Sequence, residues 1–450
     1  MEQLLSIPEI RALDGPASLL RIPDQIDVPV TDRVTALIDT PQFQRLSRIS
    51  QLGLVSSVYP AANHNRFEHS LGVYRNALLF IRQLANRPRF CQAISVHDAQ
   101  RLIVAALLHD VGHWPFCHPI EDMKLDGLFK HEDAASRYLR GDAIRECLKS
   151  QWNIEPDEVL SILAKDRSSV VNSILSSILS GPIDVDKMDY LHRDSLHAGV
   201  PYGQNFDAAR LIRSLCLNEA GDKLAITQKG RTAAELMVIS RYTMFSEVYW
   251  HHAVRSATCM LQRAFYQWFL QHRSDKNFQN QLIELFHLSE PEMISRLRTT
   301  GSPLLSQKLL DSLFGQTRRL HKRITNYSCL EKPELYKALA HRSYPWLVSC
   351  GDRLSQLIGQ QLGESIPAGD VLIDAPPVGL EVQFDIEVAY DGEETWRSLG
   401  EVSPLINTLA SRQFDDHVKQ VRIFADSAWA ERVRGLDVDQ LLKTAISEVA

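Results

Sequence analysis

No stretch of this chain approaches the roughly 18 consecutive apolar residues of a membrane-spanning helix, which excludes helical membrane insertion. The start, Met1-Glu2-Gln3-Leu4-Leu5, lacks the basic segment and the apolar stretch of a secretory signal, so a cytoplasmic protein is expected. Cysteine is sparse and unpatterned. Seven are scattered along the chain without CxxC spacing, and an odd number cannot pair fully within one molecule. Free thiols in a reducing compartment are expected, not a disulfide framework. Excess positive charge is missing too: the formal net charge of -6 gives no global footprint for nucleic acid, although local basic clusters can still meet phosphates. There is no internal repeat and no low-complexity tract. What is present is ordinary globular composition, with 44% hydrophobic and 23% charged residues over 450 positions. At about 150 residues per domain, that length suggests roughly two to three domains.

Residues 1-36 read as an N-terminal segment, with Arg21 to Val30 extended. Helical periodicity fills 37-270, interrupted by a strand-like piece from Lys223 to Gln228, and 271-366 reads as a further helical region. Thr40-Pro41 suits an N-cap followed by proline in the first turn. Phe43, Leu46, Ile49 and Leu52 follow at helical spacing, and Gly53 is placed to end that helix. A second helix is expected from near Phe67, and a third from Asp98 to His109 with Asp98 as its N-cap. After Pro367 the composition shifts. Val371-Pro377, Leu380-Tyr390 and Gln420-Ala425 read as strands, and Ser403-Arg412 and Asp426-Arg434 as helices, so 367-450 is expected to form a smaller α+β domain on a mainly α protein.

His109 and Asp110 end the apolar run Leu102-Leu108. An imidazole and a carboxylate at the end of a buried helix are costly unless something compensates, and a divalent metal does so well. The missing ligands are sought in His69, within Asn65-Arg66-Phe67-Glu68-His69-Ser70, and in Asp186, within Asp184-Val185-Asp186-Lys187. Two histidines and two carboxylates leave room for water on the metal, whose pKa falls toward neutral there. Singly, each residue has an ordinary alternative: a hydrogen-bonded core histidine, or a solvated acidic face for Asp184, Asp186 and Asp189.

Taken together, the motifs resemble the HD-domain metal-dependent phosphohydrolases, in their deoxynucleoside triphosphate triphosphohydrolase branch. The likeness is dense from about 37 to 205. It rests on Ile38-Asp39-Thr40-Pro41-Gln42-Phe43-Gln44-Arg45-Leu46, Gln51-Leu52-Gly53, Asn65 to Val73, Leu108 to His113, Pro115-Phe116, His118, His131-Glu132, Asp184 to Lys187, Asp189-Tyr190 and Arg193-Asp194. The resemblance implies a helical HD-domain core over 37-270 and metal ligation by His69, His109, Asp110 and Asp186. It places Arg66, Lys187 and Tyr190 near a triphosphate, and His113, His118 and His131 in the catalytic pocket, with His118 the favoured acid. Asp194 and His197 align with pocket positions, and Gln51 and Leu52 with positions that contact the deoxyribose. Tyr242, Tyr249, His251, His252 and Arg255 fall in a segment that the family uses as a helix against phosphate and sugar; an amphipathic core helix explains them equally well.

The activity so implied is hydrolysis of deoxynucleoside triphosphates to deoxynucleoside and inorganic triphosphate. It needs a divalent metal (Mn, Mg, Fe, Zn or Ni) and no organic cofactor. The alternatives are a nucleotide monophosphatase, a cyclic-nucleotide phosphodiesterase, or a nucleic-acid-binding regulatory protein that keeps the fold. Relatives activated by nucleotides carry an arginine where this chain has Ser47, while Asp39 and Gln44 are kept. Their upstream Asp-Pro-Ile-His-Gly is replaced by Pro23-Asp24-Gln25-Ile26-Asp27, which argues against an activator site of that form. A homo-oligomer, dimer or tetramer, is expected by resemblance.

Overall fold

Three helix boundaries set the frame of the molecule. Asn65 is extended, and its side chain accepts from the Glu68 N–H, which opens a helix over Arg66–Leu84. Ser95 opens the next, Val96–Leu108, by a reciprocal pair of hydrogen bonds with Asp98. Asp98 is therefore the third residue of that helix and not its N-cap; Ser95, three positions earlier, supplies the capping oxygen. Leu102 to Leu108 are fully buried, and the regular helix stops there, which puts His109 and Asp110 at its C-terminal end. Asp184 caps the third helix, Val185–Ala198, by accepting from the Lys187 N–H, and Gly199 ends it in the left-handed conformation. This computed structural model describes residues 2–15, 18–299, 302–376, 385–411 and 418–449.

The helix expected after Thr40 is much shorter than its apolar spacing suggests. It covers Pro41–Gln44 and tightens into a 3₁₀ turn, Arg45–Arg48. The cause is backbone pairing. Arg66 donates to the Ile49 carbonyl and Gln51 to that of His64, so the chain is drawn out of the helix into an extended bridge. Gly53, at φ +53°, opens a second 3₁₀ turn, Gly53–Ser57, instead of ending the first helix. Arg45 is buried and donates to the carbonyls of Val111 and His113 at 2.9 and 2.7 Å, which ties this segment to the loop after the His109-Asp110 doublet.

The N-terminal extended piece is a hairpin, Ser18–Ile22 against Ile26–Val30, with Asp24 and Gln25 turning through positive φ. Helices dominate the chain, and the strands are short. Lys322–Tyr327, not foreseen as a strand, pairs antiparallel with Val421–Ala425, which also pairs with Val371–Asp374. The last helix, Val438–Val449, packs in the same apolar cluster. A second sheet runs Leu215–Leu217, Leu224–Thr227, Glu387–Tyr390, Thr395–Ser398, and its middle pair is parallel. The strand-like reading of Lys223 to Gln228 thus corresponds to Leu224–Thr227. Of the strand expected over Leu380–Tyr390, Glu387–Tyr390 is observed and 380–384 lie outside the described residues. The architecture is mainly α, with a helical core and a smaller α+β C-terminal region. Among the described residues no helix is long and apolar enough to cross a membrane.

Two glycines permit the contacts on which the centre of the molecule relies. A Cβ on Gly72 would lie 1.8 Å from Asp189 Oδ1 and 2.4 Å from Arg193 Nη2. A Cβ on Gly112 would lie 2.1 Å from the His131 carbonyl oxygen, which belongs to the backbone of the His131–Arg140 helix. Gly72→Ala should lower stability by about 1–3 kcal/mol through overpacking. Denaturant melts would measure it, and an unchanged midpoint would contradict the tight packing described.

Candidate functional site

The ends of the three helices bring His69, His109, Asp110 and Asp186 together. His69 Nε2 lies 3.0 Å from Asp186 Oδ1, 3.2 Å from His109 Nε2 and 4.0 Å from Asp110 Oδ2. His109 Nε2 lies 3.5 Å from Asp110 Oδ1 and 3.8 Å from Asp186 Oδ1. The opposite ring nitrogens are both engaged. His69 Nδ1 is 2.8 Å from Asp189 Oδ2, and His109 Nδ1 is 2.9 Å from the Ala106 carbonyl. Those partners only accept, so each Nδ1 carries the hydrogen, and each neutral ring presents an Nε2 lone pair.

Donor atoms of His69, His109 and Asp110 thus lie within 4.8 Å of one another, and Asp186 joins them through the two histidines, an arrangement that repels itself unless a cation sits among them. Without a metal, a proton serves: burial disfavours charge on His69, but hydrogen bonds to Asp186 and Asp189 outweigh it and push the imidazole up to about 10. A divalent ion would displace that proton. Neutral nitrogen and carboxylate oxygen suit such an ion, and a carboxylate behind a ligating histidine is the usual means of fixing its tautomer. Asp189 is itself held by Arg193, which donates to both of its oxygens at 2.8 and 2.7 Å and to Glu68 at 2.7 Å. Burial opposes the charge on Asp189, but Arg193 and His69 keep its carboxyl well below the ordinary range.

On the other side of Asp110, Arg66 Nη1 donates to Oδ2 at 2.6 Å. Three more histidines follow. His113 is buried, with Nδ1 3.1 Å from Asp110 Oδ1, and its ring lies 4.2 Å from that of His131 and 5.1 Å from that of His118. It does not continue the helix of His109, which has already ended at Leu108. His131 Nδ1 lies 2.9 and 3.0 Å from the two oxygens of Glu121; burial opposes its charge, but this pairing raises its pKa. His118 opens into a cleft walled by protein. Desolvation there, together with the Arg66 and His131 charges, pushes it down to about 4.

The cleft has a volume of about 460 Å³, within the range usual for small-molecule sites. Gln51, Leu52, Arg66, His118, Tyr190 and Asp194 all line it. Tyr249 does as well and donates to Asp194 at 2.6 Å. Arg255 also reaches the cleft, but its guanidinium is bound to Asp374 and lies over the Trp250 ring. The single helix expected through 242 to 255 is broken into Arg231–Met244, a wide turn Phe245–Tyr249, and His252–His272. As a result Tyr242 packs with Trp250 and Val418, and His251 and His252 lie against each other away from this cleft. Lys187 is not on the cleft wall; Nζ is 2.6 Å from Asp184. Burial opposes its charge, but Asp184, Tyr190 and Asp186 hold its pKa up.

Sequence reasoning assigned no role to Asp189, Glu121, His64 or Arg45. His64 Nε2 lies 2.8 Å from Asp194 Oδ1, and its ring stacks at 4.4 Å on His197, which in turn bonds Glu68. The signal for Asp189 was available: it lies three residues past Asp186 on one helix, so both carboxylates can flank one imidazole. Nothing local marked His64 or Arg45, whose partners are more than 60 positions away. Asp189→Asn should weaken metal affinity by about 10–100-fold while the fold persists. Calorimetric titration with Mn²⁺ would test this, and unchanged affinity would rule out the supporting role of Asp189.

The HD domain family matches residues 66–194, and the family described as HD associated region matches 206–447. An uncharacterized protein of Methanocaldococcus jannaschii is 28% identical over 94% of this chain and 82% of its own. The chicken deoxynucleoside triphosphate triphosphohydrolase SAMHD1 is 30% identical over 67% of this chain. The match spans 53% of SAMHD1, and 51% of the uncharacterized YwfO of Bacillus subtilis, which is 36% identical, so this chain covers about half of those two relatives. A crystal structure of a hypothetical protein from Aquifex aeolicus superimposes with a TM-score of 0.70, at 28% identity, over 93% of this chain and 99% of that one. The chain belongs to the HD-domain phosphohydrolases, with an HD domain followed by the HD associated region.

Proposed function

We propose that the protein hydrolyses deoxynucleoside triphosphates, releasing the deoxynucleoside and inorganic triphosphate. The observation that carries this reading is the position of Arg66, which lines the cleft and at the same time bonds Asp110 of the donor cluster. A nucleoside seated in the cleft would present its 5′ phosphates to the cluster along this guanidinium. The metal, held by His69, His109, Asp110 and Asp186, would supply a Lewis acid and an activated water.

The chain's own residues bind the substrate and manage protons. Arg66 neutralises phosphate charge through a planar fork of donors. Lys187 keeps its charge close to Asp186 and Tyr190 and adds to the positive field beside the phosphates. Asp194, fixed from two sides by His64 and Tyr249, offers an acceptor to the sugar, with Gln51, Leu52 and Tyr190 completing the wall.

Hydrolysis breaks the bond between the α-phosphorus and the 5′ oxygen, and the departing alkoxide needs a proton. His118 stands in the cleft for that purpose. Its pKa is lowered in the free protein, and a bound polyanion raises its proton affinity. His131, whose pKa is raised by Glu121, lies 6.0 Å away, ring to ring, and can store a proton. A homo-oligomer is part of the proposal, by likeness to the family, and light scattering of the purified protein tests it.

The decisive assay offers the four dNTPs, GTP, nucleoside monophosphates and cyclic nucleotides with a divalent metal, and measures nucleoside, phosphate and triphosphate separately. Deoxynucleoside and triphosphate should appear in equal amounts from dNTPs, and Asp110→Ala should abolish turnover without unfolding. Release of single phosphates from monophosphates, or opening of cyclic nucleotides, would replace this reading with one of the other two hydrolases. His118→Ala should lower kcat by about 10²–10⁴-fold, the usual contribution of a general acid. An unchanged kcat would remove His118 from the proton path.

A further inference from the structure

Next to the metal quartet lies a second convergence of donors, and it contains a sulfur. His113, Cys117 and His131 each bring one donor atom to within 4.8 Å of the other two. His113 and Cys117 are 4% and 2% exposed. His113 Nδ1 lies 3.1 Å from Asp110 Oδ1 but makes no well-aligned hydrogen bond despite its burial. The local fold produces this meeting. Phe116 adopts a left-handed conformation at the start of the short Cys117–Glu121 helix and turns that helix back toward His113. Gly112, with no Cβ, lets the start of the His131–Arg140 helix approach from the other side.

The donors are also prepared as ligands. Glu121 engages His131 through Nδ1 with both carboxylate oxygens, which leaves Nε2 for coordination, and a carboxylate behind an imidazole is the common support of a zinc-bound histidine. Two nitrogens and one thiolate are a sufficient protein set for a tetrahedral zinc with one position open. The quartet differs in kind: it offers nitrogen and oxygen only, and so has no preference for thiophilic ions.

We propose that His113, Cys117 and His131 form a second metal site, selective for a thiophilic divalent cation such as Zn²⁺ and separate from the quartet. Binding displaces the Cys117 thiol proton to solvent and uses the His131 nitrogen. A filled site therefore removes His131 from the supply of protons to His118, and Zn²⁺ inhibits hydrolysis. The inhibition rests on the function proposed above, whereas the site itself does not.

Cobalt reports on the site without any substrate. Co²⁺ bound by thiolate gives a near-ultraviolet charge-transfer band, which nitrogen and oxygen ligands do not. Titration of the full chain with Co²⁺ should raise this band in the wild type and in Asp186→Ala, and Zn²⁺ should displace it. Cys117→Ser should abolish it, with circular dichroism showing the fold intact. Should that variant not fold, His131→Asn is the second probe and should abolish the band as well. Glu121→Gln should weaken Co²⁺ binding there by about 10–100-fold. Absence of the band at saturating Co²⁺, or its survival in folded Cys117→Ser, overturns the site. A band that behaves as described while excess Zn²⁺ leaves turnover unchanged overturns the inhibition alone. Because the band is read without nucleotide, failure of the hydrolytic reading is told apart from failure of the site.

Discussion

The contact between Asp189 and His69 is the constraint from which the centre of this protein is built. It fixes which nitrogen of His69 carries a hydrogen and therefore which one can hold a metal. Everything nearby serves that contact. Arg193 neutralises and clamps Asp189, Glu68 anchors Arg193, and Gly72 leaves the space in which Asp189 and Arg193 meet. Breaking such a buried charged pair exposes an uncompensated charge in a medium that solvates it poorly, so the network persists as a unit or fails as one.

The same logic extends outward from the doublet. Arg45 reaches across from the early part of the chain to the carbonyls of Val111 and His113, and so holds the turn that follows Asp110. Asp110 then meets Arg66, which looks into the cleft. His64 and Tyr249 clamp Asp194 from opposite sides, although 185 positions separate the two in the chain. A site assembled in this way is rigid because His69, Asp110 and Asp194 are each held by a partner from a distant segment.

Much of this was readable from the amino acids. The apolar run before His109 and the periodicity that begins near Phe67 are local signals, and the helices they predict are present. Strong local patterns misled where long-range pairing intervened. Phe43, Leu46, Ile49 and Leu52 have helical spacing, yet the chain leaves the helix at Gln44 because Ile49 and Gln51 pair with Arg66 and His64. The strand Lys322–Tyr327 carries three charged or amide side chains and little alternation, so its place in a sheet is set by Val421–Ala425 and not by its own composition. The roles of His64 and Arg45 depend on partners that no local window contains.

The parallel pairing of Leu224–Thr227 with Glu387–Tyr390 has a consequence for how the molecule is made. Parallel neighbours need a crossover, and here the connection is about 160 residues long. During synthesis the earlier strand emerges well before its neighbour exists, and it waits with an unsatisfied edge that other chains could zip onto. Completion of the sheet is therefore a late event with high loop-closure cost, and the ribosome must release most of the polypeptide before the N-terminal half reaches its final state.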